Sequence, residues 1–276
     1  MVLKNSLRYF ILVLILFYVE SLYSQQVVPW NKIREINNQI RNISCSREGV
    51  KANIDGPIEI EKWYNGNLRS RPSDLRILFL LKEAYGSDTL GVDLSKLRRF
   101  EKSLLDMDSD EGRPTYAPMV DIVNMLVLNQ NYEQVHQQVK SVGAYTIFKE
   151  CSAIVEVKKE YGESKSYDSD IKNHARKNKE LIKKQIEVYN PNVVILCGNN
   201  IYEGIFVTHD NGHMVFGDLA NDNANLRVHP QFKYYYNDRR IYINTYHPSA
   251  LVNKSDYCTE IVEVVRQWME DYVEGK

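Results

Sequence analysis

The stretch Ile241-Tyr-Ile-Asn-Thr-Tyr-His247-Pro-Ser-Ala-Leu251 decides the fold. Its first half is an apolar run of strand length, and its second half is a short turn, His247-Pro-Ser249. Apolar runs of this kind form strands of sheets covered on both faces. In open parallel sheets, ligands bind in the crevice outside the carboxyl ends of the strands. The turn carrying His247 and Ser249 therefore marks where a site is expected. A second run, Leu75-Arg-Ile-Leu-Phe-Leu-Leu81, passes straight into the polar segment Lys82-Glu-Ala-Tyr-Gly86, and the two turns are expected to face one crevice.

Two further runs have the same character. Ala153-Ile-Val-Glu-Val-Lys158 gathers charge at its end, and Val193-Val-Ile-Leu-Cys197 stops at Gly198-Asn-Asn. Helical patterns separate the strands. Ile33, Ile36, Ile40 and Ile43 recur at helical spacing within residues 31–43, and residues 94–105 form a second helix, followed by an acidic loop over 106–111. An apolar helix over 116–128 is expected to be deeply buried, and a polar one follows over 132–140. One long helix is expected from Asp168 to Tyr189, capped by Asp168, Ser169 and Asp170 and stopped by Asn190-Pro191. Its lysine-rich outer face, with Lys172, Arg176, Lys177, Lys179, Lys183 and Lys184, reads as a solvated surface or as a phosphate-contacting one. Phe232–Tyr236, the turn Asn237-Asp238 and the run to Thr245 read as a hairpin, and a last helix starts after Ser255. Strands alternating with helices imply an α/β fold, three layers α/β/α around a central, mainly four-stranded parallel sheet. One domain over residues 27–276 is expected.

At 276 residues, with 43% hydrophobic and 26% charged residues, the chain can bury a substantial core and is neither disordered nor a multispanning membrane protein. The formal net charge of -1 means that nucleic-acid binding would rest on a local patch. Residues 1–26 stand apart from the fold: Lys4 and Arg8 precede an apolar run from Tyr9 to Val19, and Ser24 offers a small residue for cleavage. The segment reads as a signal peptide, an anchor over residues 4–24, or upstream sequence from a misplaced start. The protein is expected in the cytoplasm in the last case and exported or membrane-anchored in the others.

Cys45, Cys151, Cys197 and Cys258 lack the close spacing of zinc or iron-sulfur ligands and read as reduced structural thiols. His209, Asp210 and His213, with His229 nearby, surround the turn signal Asn211-Gly212 rather than sharing a helical frame, so no metal is expected there. A phosphate loop, a dinucleotide fingerprint and a nucleophile elbow are all missing, and no cofactor is expected.

Lys82-Glu-Ala-Tyr-Gly86 after the first strand, His247-Pro-Ser249 after the last and Asn190-Pro-Asn-Val-Val-Ile-Leu-Cys-Gly198 between them resemble the motifs of the uracil-DNA glycosylase superfamily, over about residues 75–270. The resemblance implies that the first turn orients water and lines a base pocket, while the histidine hydrogen-bonds the base oxygen on which negative charge develops. Cleaving an N-glycosidic bond leaves an oxocarbenium-like sugar and an anionic base, so a carboxylate near one and a donor near the other favour the transition state. Glu83 and His247 are the catalytic candidates. Lys82, Ala84, Tyr85, Gly86, Glu156 and Ser249 are the substrate-binding ones.

The sequence departs from the family pattern where bases are chosen. Lys82 replaces the opening glycine, Ala84 stands where one branch has aspartate, and Glu156 replaces a base-reading asparagine. An ionised carboxylate only accepts hydrogen bonds, whereas an amide also donates. The four-cysteine cluster of the iron-sulfur branch is missing. The resemblance implies DNA as the partner and release of a uracil-like or deaminated base, or alternatively a catalytically inactive module that binds nucleobases or nucleic acid. Because extruding a base from a duplex costs a few kcal/mol, a chain with little net positive charge is expected to prefer single-stranded or mismatched DNA. Plain structural readings stand beside these: Glu83 paired with Lys82 at the surface, His247 as a turn residue, Tyr85 covering a pocket, and Glu156 with Lys159 as a solvated strand exit.

Overall fold

The computed structural model describes residues 28–45, 52, 54–65, 75–85, 113–138, 141–162, 167–198, 201, 205, 207–210, 213–216, 225–228, 233–236 and 239–271. Its main sheet has seven strands in the order β1 (Gly56–Pro57), β3 (Ser152–Gly162), β2 (Ile77–Tyr85), β4 (Val193–Cys197), β9 (Ile241–Thr245), β8 (Lys233–Tyr236) and β7 (Asn225–Val228). The four central strands, β3, β2, β4 and β9, are parallel. β1, β8 and β7 are antiparallel to their neighbours, so the sheet is mixed rather than four-stranded. The β8–β9 hairpin follows the tyrosine run and its turn signal. β1 is only two residues long and β7 carries Asn-Leu-Arg-Val, which is too short and polar to stand out as a strand. A separate hairpin pairs β5 (Val207–Asp210) with β6 (His213–Phe216).

The helices are α1 (Trp30–Arg41), α2 (Ile60–Asn65), α3 (Arg113–Leu128), α4 (Tyr132–His136), α5 (Val142–Cys151), α6 (Asp168–Lys177), α7 (Lys179–Tyr189) and α8 (Lys254–Met269). Strand alternation sorts them onto two faces. Ile77, Phe79 and Leu81 join the apolar cluster built by α3, α5 and α8, while Leu78 and Leu80 join the one built by α6 and α7. Each fully buried large apolar side chain, such as Phe79 or Phe148, contributes about 1.5–3 kcal/mol. The α/β architecture, with apolar clusters on both sides of the sheet, is compatible with three layers.

Several local expectations change. The helix expected over 168–189 is two helices, because buried Asn178 turns its side-chain amide onto the Val157 carbonyl, 2.8 Å away, and breaks the run. Asp168 and Asp170 occupy the first turn of α6 but do not cap it; their carboxylates reach Lys82 and Lys158 instead. Helix α5 was not anticipated, since Gly143 in its first turn reads as a breaker. Its signal was Ser141, whose hydroxyl accepts the Ala144 amide. The helix expected over 94–105, the loop over 106–111, residues 1–26 and the turn Asn237-Asp238 lie outside the described residues. Among the described residues, no helix is long and apolar enough to cross a membrane.

Lys159 is the largest departure from a solvated strand exit. It is buried, with Nζ 2.6 Å from Asp55 Oδ2 and 2.9 Å from Gln185 Oε1. The other Asp55 oxygen accepts from Gln185 Nε2 at 2.6 Å, and Oδ2 also accepts the Glu156 amide at 2.6 Å. This network ties β1, β3 and α7 together. Gly56, next to Asp55, has φ +147°, and a Cβ there would sit 2.8 Å from the Tyr189 ring. Gly56→Ala should therefore lower stability by about 1–3 kcal/mol, read as a shift in urea midpoint with unchanged slope.

Candidate functional site

The parallel strands end together, and the chain order places a crevice among them. From β2 the chain goes to β3 on one side and then to β4 on the other, which makes the end of β2 beside β4 the topological switch point. Lys82 stands there. Leu80 is opposite Leu196, so the residue two further along, Gly198, comes level with Lys82. Gly198 has φ +145°, and a Cβ at this position would lie 3.3 Å from Lys82 Cε. A glycine leaves the space above the lysine stem open. Lys82 Nζ lies 3.4 Å from Oδ1 of Asp168, whose carboxylate is mostly exposed, a pair worth little in stability.

His247 follows β9. Its loop closes as a tight turn, with the Ala250 amide 2.8 Å from the His247 carbonyl. Lys254 on α8 fixes the turn by donating to the Pro248 carbonyl at 2.8 Å and to that of Ala250. The Tyr257 hydroxyl donates to the Tyr246 carbonyl at 3.1 Å. Nδ1 of His247 lies 2.7 Å from Ser249 Oγ and accepts the Ser249 amide at 3.3 Å. A backbone amide can only donate, so Nδ1 is the acceptor and the proton of the neutral ring sits on Nε2.

Burial, with the Lys82 and Lys254 ammonium groups, lowers the His247 pKa to about 4. As pH falls, the unfolded imidazole takes up a proton near its ordinary value of about 6.5, whereas the folded one waits until about 4, so this group withdraws stability between those values and none above them. NMR titration of the His247 Cε1 proton should give a midpoint near 4. Lys82→Met should raise it, and a midpoint near 6.5 in the native protein would remove the neutral-donor role.

The other expected site residues separate. β2 continues as strand through Tyr85, pairing Glu83 with Lys158 and Tyr85 with Gly162 across an irregularity between them, so Lys82–Tyr85 is not the expected turn. The backbones of Glu83, Ala84 and Tyr85 belong to this strand; their side chains, and Gly86 entirely, lie outside the described residues. Glu156 is buried and on the Ile154 face, opposite to the face carrying Leu78, Leu80 and Lys82. Lys82, Gly198, His247 and Ser249 are gathered at the strand ends; Glu156 and Lys82 are not brought together.

Asn244 was missed. It is buried at the end of β9, opposite Leu196, and so on the Lys82 face one step below Gly198. An asparagine interrupting the apolar run Ile241–Thr245 was the available signal. Leu251, just past the turn, is fully exposed.

The four cysteines are free thiols; Cys151, Cys197 and Cys258 are buried, and burial raises the Cys197 and Cys258 pKa values. Among the described residues, no group of three or more His, Cys, Asp or Glu side chains is placed to hold a metal. The side chains of His209, Asp210, His213 and His229 lie outside that description. No protein-family model matches the chain, and no curated protein matches its sequence.

Proposed function

We propose that the protein is a DNA glycosylase-like hydrolase that releases a uracil-like or deaminated base, with the finer three-layer arrangement of that superfamily. The observation that carries this reading is a neutral histidine, held with Nε2–H as donor by Ser249 and Lys254, beside a lysine at the switch point of a parallel sheet. As the C1′–N bond breaks, its electron pair moves into the base and charge grows on the base oxygen. His247 Nε2–H donates to that oxygen and Lys82 adds a nearby positive charge. Water bonds to C1′, and its proton goes to Glu83 on the family resemblance alone, since the Glu83 side chain lies outside the described residues. The Asn244 amide can both accept and donate at the base edge, which fits several oxo-bases. Exposed Leu251 supplies an apolar side chain of the kind inserted between base steps by proteins that distort DNA.

A second reading, a binding module without catalysis, is favoured by the continuation of β2 through Tyr85, which places backbone pairing where the family has a water-holding turn. One assay separates the two. The full chain is incubated with single-stranded and mismatched DNA bearing uracil, hypoxanthine or xanthine, and alkali-labile breaks are counted. Breaks above a His247→Ala control support hydrolysis. Retained DNA binding without breaks supports the module.

A further inference from the structure

The start of α6 leads out of the crevice. Asp168 touches Lys82, and the residue before it, Tyr167, is 77% exposed, a large ring with no packing role on its outer side. The acidic charge of this turn is locally answered, since Asp168 pairs with Lys82 and Asp170 with Lys158, 2.9 Å away. Beyond it α6 buries Ile171 and Ala175 and turns Arg176 and Lys177 to solvent, with Lys172 and Lys179 half-buried beside them. At about 1.5 Å per residue, Arg176 lies roughly 13 Å along the helix from Tyr167, a few nucleotide spacings. Single strands are held by stacking on exposed rings together with phosphate contacts from basic side chains nearby. Arg176 and Lys177, which leave α6 about 100° apart, are two exposed cations of that kind.

We propose that Tyr167 and the Arg176–Lys177 face of α6 form the exit path of a single nucleic-acid strand whose reacting nucleotide occupies the Lys82–His247 crevice. The path deepens the glycosylase reading and rests on it for the direction of the strand. Lys172, Arg176 and Lys177 on α6 supply a local positive patch on a chain of net charge -1.

The test is fluorescence anisotropy of undamaged 20-nucleotide single strands and duplexes against salt, with the full chain, Tyr167→Ala, Arg176→Glu/Lys177→Glu, and the control Lys32→Glu/Arg34→Glu, which makes the same charge change on α1. Single strands should bind better than duplex. Tyr167→Ala should weaken single-strand binding about tenfold with an unchanged salt slope. The α6 reversal should weaken it by at least about tenfold and lower the slope by about two. The α1 control should lose much less. Absence of binding by the native chain, equal loss in the control, or no loss in either α6 variant overturns the path. If the variants lose binding yet the native chain releases no base, the path stands and the glycosylase reading fails. If base is released and the variants bind normally, the reverse holds.

Discussion

On the proposed glycosylase reading, replacing His247 with alanine is expected to slow base release by about 100- to 1,000-fold with little change in KM, the loss seen when one preorganised donor is removed from a developing anion. The size follows from the loop. His247 receives two bonds at Nδ1, and Lys254 holds the turn through two carbonyls, so Nε2–H is in place before the reaction and needs no reorganisation. Ser249→Ala should cost less, because the backbone amide still fixes the tautomer. The rate in the native protein should stay level on acidification until pH approaches 4, since the ring remains neutral to that point. A fall centred near pH 6.5 would mean that His247 is not the group responsible.

The largest effect on stability is expected at Asp55. Asp55→Ala should cost about 3–5 kcal/mol, because Lys159 would be left charged and buried. The geometry supports the high end of that range: both Asp55 oxygens are engaged, and Gln185 and the Glu156 amide also lose a partner. Lys159→Met should fall in the same range. In a double-mutant cycle the pair should cost clearly less than the two single losses together, as measured by urea unfolding. Additive losses would show that the two side chains act independently.

The parallel core was legible because its strands are apolar runs longer than any turn, and the helix facing α7, α1, was legible from the spacing of Ile33, Ile36 and Ile40. The location of His247 and Lys82 at strand ends was legible for the same reason. Lys159 and Glu156 were not. A charged residue near the end of an apolar strand looks solvated until a distant partner, here Asp55, is known to lie against it. The extension of β2 past Lys82 was hidden because Lys-Glu-Ala-Tyr has the polarity of a loop, and only the pairing with β3 makes it strand. Asn244 was overlooked because a single polar residue in a strand has no pattern of its own.

Lys82, Asp168, Gly198 and His247 come together only through strands joined by long crossovers. Contacts so distant in sequence form slowly, since large loops must close before any packing compensates for their lost entropy. β9 is threaded between β4 and β8, and the histidine turn hangs from its end. During synthesis the histidine turn therefore stays unfixed until α8, with Lys254 and Tyr257, has left the ribosome. Shortened products that lack this helix would expose the apolar face of the sheet that Tyr257, Ile261 and Val265 cover.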